Sequence, residues 1–280
     1  MQIGTAIYKA CEELKKNNIQ TAFLDSELLL SQVLKKSKEF IILNPKNHIN
    51  EKDYCNFKKL ICERSKGKPI AYLTGKKFFW KFEFELNDKV LIPRPDTEII
   101  VEQVLKTFKE RNKLSFLDIG IGSGCISLTI LKEKKNFRAV GVDISKHALK
   151  ITNINANKLG LKNRIKLFKS DIDKFSKGKY DLIISNPPYI KKLELKYLEK
   201  DVVNFEPIIA LDGGLDGISE IRKVVKKSSE LIKNGGKFFL EIAFNQKNEV
   251  KQLLKKNGFY INSIIKDFAK NDRCIISTKK

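Results

Sequence analysis

Phe116-Leu117-Asp118-Ile119-Gly120-Ile121-Gly122-Ser123-Gly124 is the stretch that decides the fold. An apolar strand runs into three alternating glycines, and the pattern predicts a helix opening at about Cys125. Glycines so placed permit positive φ and let a ligand approach the backbone closely. Dinucleotide-binding loops look similar but use the spacing GxGxxG. Here the spacing is GxGxG, and Asp118 stands two residues before the first glycine. A carboxylate at that strand end would repel a pyrophosphate and suits the ammonium of a methionine moiety.

Further acids follow at the next strand ends. Ala139-Val140-Gly141-Val142-Asp143 places Asp143 23 residues after Gly120, where it would accept both hydroxyls of a ribose. Ser170-Asp171-Ile172 follows the third strand, where a carboxylate can accept from an adenine amino group beside an apolar neighbour. Singly, Asp143 also reads as a helix cap and Asp171 as a turn residue. Together, at the ends of strands one, two and three, they predict an adenosine site. With Asp118, the implied cofactor is S-adenosyl-L-methionine.

The fourth strand, Tyr180-Asp181-Leu182-Ile183-Ile184-Ser185, leads into Asn186-Pro187-Pro188-Tyr189. The crevice rule puts this turn beside the cofactor, at the carboxyl end of the sheet. A planar amide or amino nitrogen offers two hydrogens and has a delocalised lone pair. It needs acceptors that hold it toward a methyl donor. Asn186 supplies a side-chain carbonyl and Pro187 a main-chain carbonyl, held extended by the proline that follows. Neither proline has a competing N–H, and Tyr189 offers an aromatic face. The sulfonium is already activated, so positioning and electrostatic support suffice and no strong base is required. Asn186, Pro187 and Tyr189 are therefore the candidate catalytic residues, and Asn186 to Tyr189 the candidate substrate site.

Around this centre the chain divides. Residues 1–75 read as helical: Ile3, Ile7, Ala10, Cys11 and Leu14 recur at helical spacing, a second helix runs from Thr21 to about Leu34, and a third spans Glu51 to Arg64. Gly67-Lys68-Pro69 breaks the pattern. Residues 76–92 predict a β-hairpin, alternating from Phe78 to Leu91 with its turn at Asn87-Asp88. Residues 93–280 alternate strand and helix, with strands at 114–119, 137–142, 165–168, 180–184, 236–242, 260–265 and 272–278. That pattern predicts an α/β domain with a mostly parallel sheet covered on both faces and a terminal hairpin.

Composition bounds the partners. The chain has 280 residues and a formal net charge of +22, with 55 basic against 33 acidic residues. Of the basic residues 48 are Lys and 7 are Arg, spread without a dense block, which reads as compositional drift at least as well as a nucleic-acid surface. No apolar run approaches a membrane span of ~18 residues and no secretory signal is evident. The five cysteines are scattered without CxxC spacing, so no metal site is predicted and a reducing cytoplasm is the simplest location.

These residues resemble the bacterial release-factor glutamine methyltransferases. The resemblance covers nearly the whole chain. It rests on Gly67-Lys68-Pro69-Ile70-Ala71-Tyr72-Leu73-Thr74-Gly75, on Leu91-Ile92-Pro93-Arg94-Pro95-Asp96-Thr97-Glu98, on Asn186-Pro187-Pro188-Tyr189, and on Phe205-Glu206-Pro207 with Leu211-Asp212-Gly213-Gly214. The Asn-Pro-Pro-Tyr turn is shared with adenine-N6 methyltransferases, and the flanking segments are more specific. Ile121, where the family often has Thr, and Ala243, where it often has Gly, are small departures. The resemblance implies a Rossmann-like, seven-strand methyltransferase domain and a helical N-terminal domain that holds the release factor. It also implies methylation of the Gln in the Gly-Gly-Gln motif of class I peptide chain release factors, which tunes translation termination. Cofactor contacts are expected at Asp118, Gly120, Ile121, Gly122, Ser123, Gly124, Asp143, Asp171, Ile172 and Asn186. The partner would be a release factor, with no membrane or direct nucleic-acid contact, though the ribosome could be near. A ribosomal-protein glutamine methyltransferase, an adenine-N6 nucleic-acid methyltransferase and a non-enzymatic scaffold are the alternatives.

Overall fold

The computed structural model describes all 280 residues, in two compact units. The first is helical and comprises Met1–Lys76 with Glu199–Phe205. Its helices are α1 (Ile3–Lys16), α2 (Ala22–Leu34), α3 (Lys38–Leu43), α4 (Glu51–Ser65) and α5 (Ile70–Thr74). Ile3, Ile7, Ala10, Cys11 and Leu14 of α1 bury one stripe against Leu29 and Leu30 of α2 and Phe57 and Ile61 of α4. Ser37 and Asn50 cap α3 and α4, accepting from Phe40 N at 3.2 Å and Asp53 N at 2.8 Å. Asp25 is buried on α2 and accepts from Arg64 Nε at 2.7 Å and Thr21 Oγ1 at 2.8 Å. Removing Arg64 would strand that carboxylate, at a cost of ~3–5 kcal/mol.

The hairpin departs from expectation. Its strands are β1 (Lys76–Phe79) and β2 (Phe82–Glu85), so the chain turns at Trp80-Lys81, not at Asn87-Asp88. Trp80 sits at φ 59°, a conformation a bulky residue rarely adopts. Two carboxylates from distant helices hold it there: Trp80 N donates to Glu98 at 2.6 Å and Trp80 Nε1 to Glu133 at 2.9 Å. Nor does the hairpin stand apart as a linker. From Lys77 onward it belongs to the second unit, where Phe79 and Phe84 enter the core and the Glu85 N–H donates to Asn155 at 2.7 Å.

The second unit, Lys77–Leu198 with Glu206–Lys280, then runs α6 (Glu98–Thr107), β3 (Leu114–Ile119), α7 (Cys125–Glu133), β4 (Phe137–Asp143), α8 (Lys146–Lys158), β5 (Ile165–Lys169) and β6 (Tyr180–Ser185). After α9 (Lys200–Phe205), which clusters with the helical unit, come α10 (Ser219–Leu231), β7 (Ile232–Glu241), α11 (Lys247–Lys256), β8 (Phe259–Lys266) and β9 (Asp272–Lys279). The seven strands pair in the order β5-β4-β3-β6-β7-β9-β8. The first five are parallel, and β9 runs antiparallel to both β7 and β8. Phe116, Leu182, Ile184 and Phe239 pack on the face covered by α6 and α7, while Leu117, Ile183, Phe238 and Leu240 pack under α10 and α11. Successive residues point to opposite faces, so a sheet covered twice needs strands apolar on both sides. The order reverses between β3 and β6, which opens the crevice at their carboxyl ends.

Candidate functional site

The loop after β3 is built by its glycines and by the neighbouring strand. Gly120, Gly122 and Gly124 stand at φ 75°, 58° and 80°. Gly120 N and Ile121 N both donate to Val142 O, at 2.8 and 3.1 Å, which folds the loop back over the end of β4. Thr152 Oγ1 donates to Gly122 O at 2.8 Å and Asn155 Nδ2 to Ser123 O at 2.9 Å, so α8 holds the loop from behind. A Cβ at Gly141 would lie 2.2 Å from Ile121 Cδ1, so the bare strand is what seats the Ile121 side chain.

Above this loop lies a cavity of about 530 Å³, of small-ligand size. Its wall contains Gly120, Ile121, Gly122, Ser123, Asp143, Asp171, Ile172, Asn186, Pro187 and Pro188, all expected from the sequence. Asp118, Gly124 and Tyr189 are not part of that wall. Asp118 is turned beneath the loop, where its Oδ2 accepts from Ser127 Oγ at 2.6 Å. Gly124 starts α7, and a Cβ there would meet Thr152 Cγ2 at 2.8 Å. Tyr189 packs into the core, its hydroxyl donating to Glu241 Oε1 at 3.3 Å.

The acids occupy successive strand ends. Asp143 accepts from Gly122 N at 2.9 Å and from Ser145 N at 2.8 Å, while Ser145 is itself the cap of α8, accepting from Ala148 N. The carboxylate is thus fixed by main-chain donors with lone pairs left for a ribose. Burial raises its pKa, and the donors from Ser145 and Gly122 oppose the rise. Asp171 Oδ1 accepts from Asp173 N at 3.1 Å. Burial pushes Asp118 up to about 7, opposed by Ser127 and reinforced by the charge of Asp143. Two acids at or beneath one cavity, both raised, make a site that gains from a cationic ligand. Carboxylates at two strand ends, an apolar neighbour at Ile172 and a glycine loop with exposed backbone thus line one cavity, a donor set that could hold S-adenosylmethionine.

The turn after β6 is held from two sides. Asn186 Nδ2 donates to Thr97 Oγ1 at 3.2 Å, which leaves Asn186 Oδ1 to accept from a substrate. Gln246 Nε2 donates to Tyr189 O and to Gly217 O, each at 2.9 Å. Ile190 N donates to Leu211 O at 3.1 Å and Gly213 N to Ile190 O at 2.8 Å, tying the turn to the 211–217 loop.

Several wall residues were not expected as site residues: Arg94, Thr97, Cys125, Ile208 and Ile209. Arg94 Nη2 donates to Glu206 Oε1 at 2.5 Å, and the Glu206 side chain is 1% exposed. The signal was the pair of stiff segments Ile92-Pro93-Arg94-Pro95 and Phe205-Glu206-Pro207, but their contact spans 112 positions and no local spacing reveals it.

Comparison with known proteins bears on the family and the fold. Residues 97–204 match the family model described as methyltransferase small domain, and residues 5–75 match the PrmC N-terminal domain. A release factor glutamine methyltransferase of Clostridium acetobutylicum is 39% identical over all of this chain and 99% of its own length. One from Buchnera aphidicola is likewise 39% identical over 100% of this chain and 99% of its own. Among solved structures, a methyltransferase from Pyrococcus furiosus superposes with a TM-score of 0.54 at 22% identity, covering 70% of this chain and 88% of that one, a likeness of fold.

Proposed function

This chain belongs to the release factor glutamine methyltransferases, and on that premise we propose that it methylates the side-chain amide of the Gln in the Gly-Gly-Gln motif of class I release factors, tuning translation termination. It is an S-adenosylmethionine-dependent protein-glutamine methyltransferase with a Rossmann-like catalytic unit. The bound donor supplies an activated methyl group. Asp143 and Asp171, both on the cavity wall, would hold its ribose and adenine, and the glycine loop would let the remainder approach the backbone.

The observation that carries the reading is the commitment of Asn186 Nδ2 to Thr97. Asn186 Oδ1 and the Pro187 carbonyl then accept the two amide hydrogens of Gln, and Pro187 and Pro188 bring no N–H to compete. The methylated nitrogen is acidic and releases its proton without a dedicated base. Tyr189 fixes the far end of the turn through Glu241 and Gln246, making it a positioning residue. The helical residues 1–75 serve to hold the release factor, the 93–280 region carries the chemistry, and the protein works in the cytoplasm without direct nucleic-acid contact.

The test is turnover of an intact release factor by Asn186→Ala. The expected result is a loss of kcat of roughly 10²-fold or more with cofactor affinity within a few-fold of wild type. Normal kcat with collapsed cofactor binding would remove Asn186 from the substrate site. A wild-type enzyme that labels a ribosomal protein or DNA but not a release factor would replace the substrate.

A further inference from the structure

Two proline-stiffened segments, Ile92-Pro93-Arg94-Pro95 and Glu206-Pro207, are joined by an ion pair that the reaction as described does not use. Arg94 Nη2 donates to Glu206 Oε1 at 2.5 Å, and Ile92 N donates to Glu206 Oε2 at 3.4 Å, so both carboxylate oxygens are engaged by this one segment. The Glu206 side chain is 1% exposed and lies behind the cavity wall, whereas Arg94 is part of that wall with its side chain 37% exposed. Pro95 keeps Arg94 out of the helix that follows, at φ −95° and ψ 143°. A buried pair of this kind adds little net stability. What it does is hold a guanidinium in one orientation at the edge of the cavity. Arg94 Nε and Nη1 donate to no group of the chain, so the fork keeps donors to spare.

The topology shows which ligand those donors serve. Asp143 and Asp171 follow β4 and β5, on one side of β3 in the sheet order, and the Asn186–Tyr189 turn follows β6, on the other. Arg94 stands just before Thr97, which accepts from Asn186 Nδ2 at 3.2 Å. Arg94 is thus tied to the side of the cavity that holds the turn, away from the ribose and adenine acids. The turn offers acceptors, and its prolines bring no N–H. A peptide carrying a Gln brings carbonyl oxygens along with its amide hydrogens, and those oxygens need donors. Glycines before the Gln leave their carbonyls unshielded by side chains. Ile208 and Ile209, 60% and 61% exposed on the same wall, give a main chain apolar support without competing side-chain hydrogen bonds.

We propose that Arg94 is a substrate-binding residue: held by Glu206, its guanidinium donates to a main-chain carbonyl of the peptide segment that leads into the reacting Gln. The proposal rests on the reading of the Asn186–Tyr189 turn as the glutamine site. Glu206 is the positioning residue and acts only through Arg94. Lysine does not substitute, because a point charge on a flexible stem cannot grip Glu206 and present a planar fork to a carbonyl at once.

The experiment compares wild type, Arg94→Lys and the double variant Arg94→Gln with Glu206→Gln. The double variant neutralises both partners, so no buried carboxylate is left stranded, and thermal melts check that each variant is folded. The first readout is steady-state kinetics on an intact release factor, with calorimetry of S-adenosylhomocysteine binding beside it. The second is the Arg94 Nε–H resonance of ¹⁵N-labelled wild type saturated with S-adenosylhomocysteine and titrated with a capped Gly-Gly-Gln peptide. Both variants should raise KM for the release factor roughly tenfold or more, with kcat at saturation and S-adenosylhomocysteine affinity within a few-fold of wild type. The Arg94 Nε–H proton should move downfield as peptide is added. An unchanged KM in both variants overturns the proposal, as does a loss of S-adenosylhomocysteine affinity with KM for the release factor unchanged, which would give the guanidinium to the cofactor's carboxylate. An Arg94 resonance indifferent to the peptide overturns it as well. Absence of methyl transfer to a release factor by wild type overturns the substrate reading alone, and the peptide titration still decides the role of Arg94.

Discussion

Asp118 shows how one residue can matter from beneath a cavity wall. It lies under the glycine loop, 2% exposed, with Ser127 as its hydrogen-bond donor and a pKa of about 7. Between the unfolded value near ~4 and that folded value the native state binds the extra proton, so its contribution favours folding at low pH and is lost as pH rises through 7. Asp118→Asn keeps an acceptor for Ser127 and removes the charge. Without ligand its stability relative to wild type should rise by ~2–4 kcal/mol from pH 5 to pH 8, read by denaturant melts. A stability difference that stays the same at both pH values would show that Asp118 is not buried as a charge. The same residue should favour the cationic donor, so wild-type cofactor affinity rises from pH 6 to pH 8 and that rise shrinks in Asp118→Asn. The sequence made this acid visible by its spacing from Gly120, but not its distance from the cavity wall. Only the packing of α7 through Ser127 reveals that. Asp143 and Asp171 were legible more fully because a strand end exposes its own next residue to the crevice. Thr97 was not legible as a site residue, since its partner Asn186 lies 89 positions away.

At the scale of elements, the Asn186–Tyr189 turn is a short segment held by a loop that follows it. Gly213 has an ordinary φ, yet a Cβ there would lie 2.6 Å from Gly217 O and 2.8 Å from Tyr189 Cα. The loop at 211–217 and the turn approach as closely as bare backbone allows. Gly213→Ala should therefore push the turn away from the cavity. It should lower kcat at least ~10-fold and stability by ~1–3 kcal/mol, with cofactor affinity kept, as read by steady-state kinetics and urea melts. Wild-type rates would show that the turn does not depend on this contact. The parallel strands and their order of use were readable because each is apolar on both faces and each ends in a chemically loaded residue. The hairpin turn was misplaced because Asn87-Asp88 carries the local turn signal, while Trp80 is held at positive φ by Glu98 and Glu133. Tertiary hydrogen bonds overrode turn propensity there, which no local pattern records.

For the whole molecule, there are two compact units, and the chain returns once to the helical unit at Glu199–Phe205, between the Asn186–Tyr189 turn and the Glu206 that grips Arg94. That return was not legible because six residues of short helix carry little periodicity of their own. The charge of +22 is spread over lysines whose ion pairs are mostly exposed, such as Lys66–Glu63 and Lys223–Glu220, and such pairs add little stability. No helix is long and apolar enough to cross a membrane. The most direct measurement is tandem mass spectrometry of a class I release factor after incubation with the full chain and S-adenosylmethionine carrying an isotopically labelled methyl. One labelled methyl on the Gln of Gly-Gly-Gln is the predicted result. An unlabelled Gln, with label on another protein, on nucleic acid or nowhere, would contradict it.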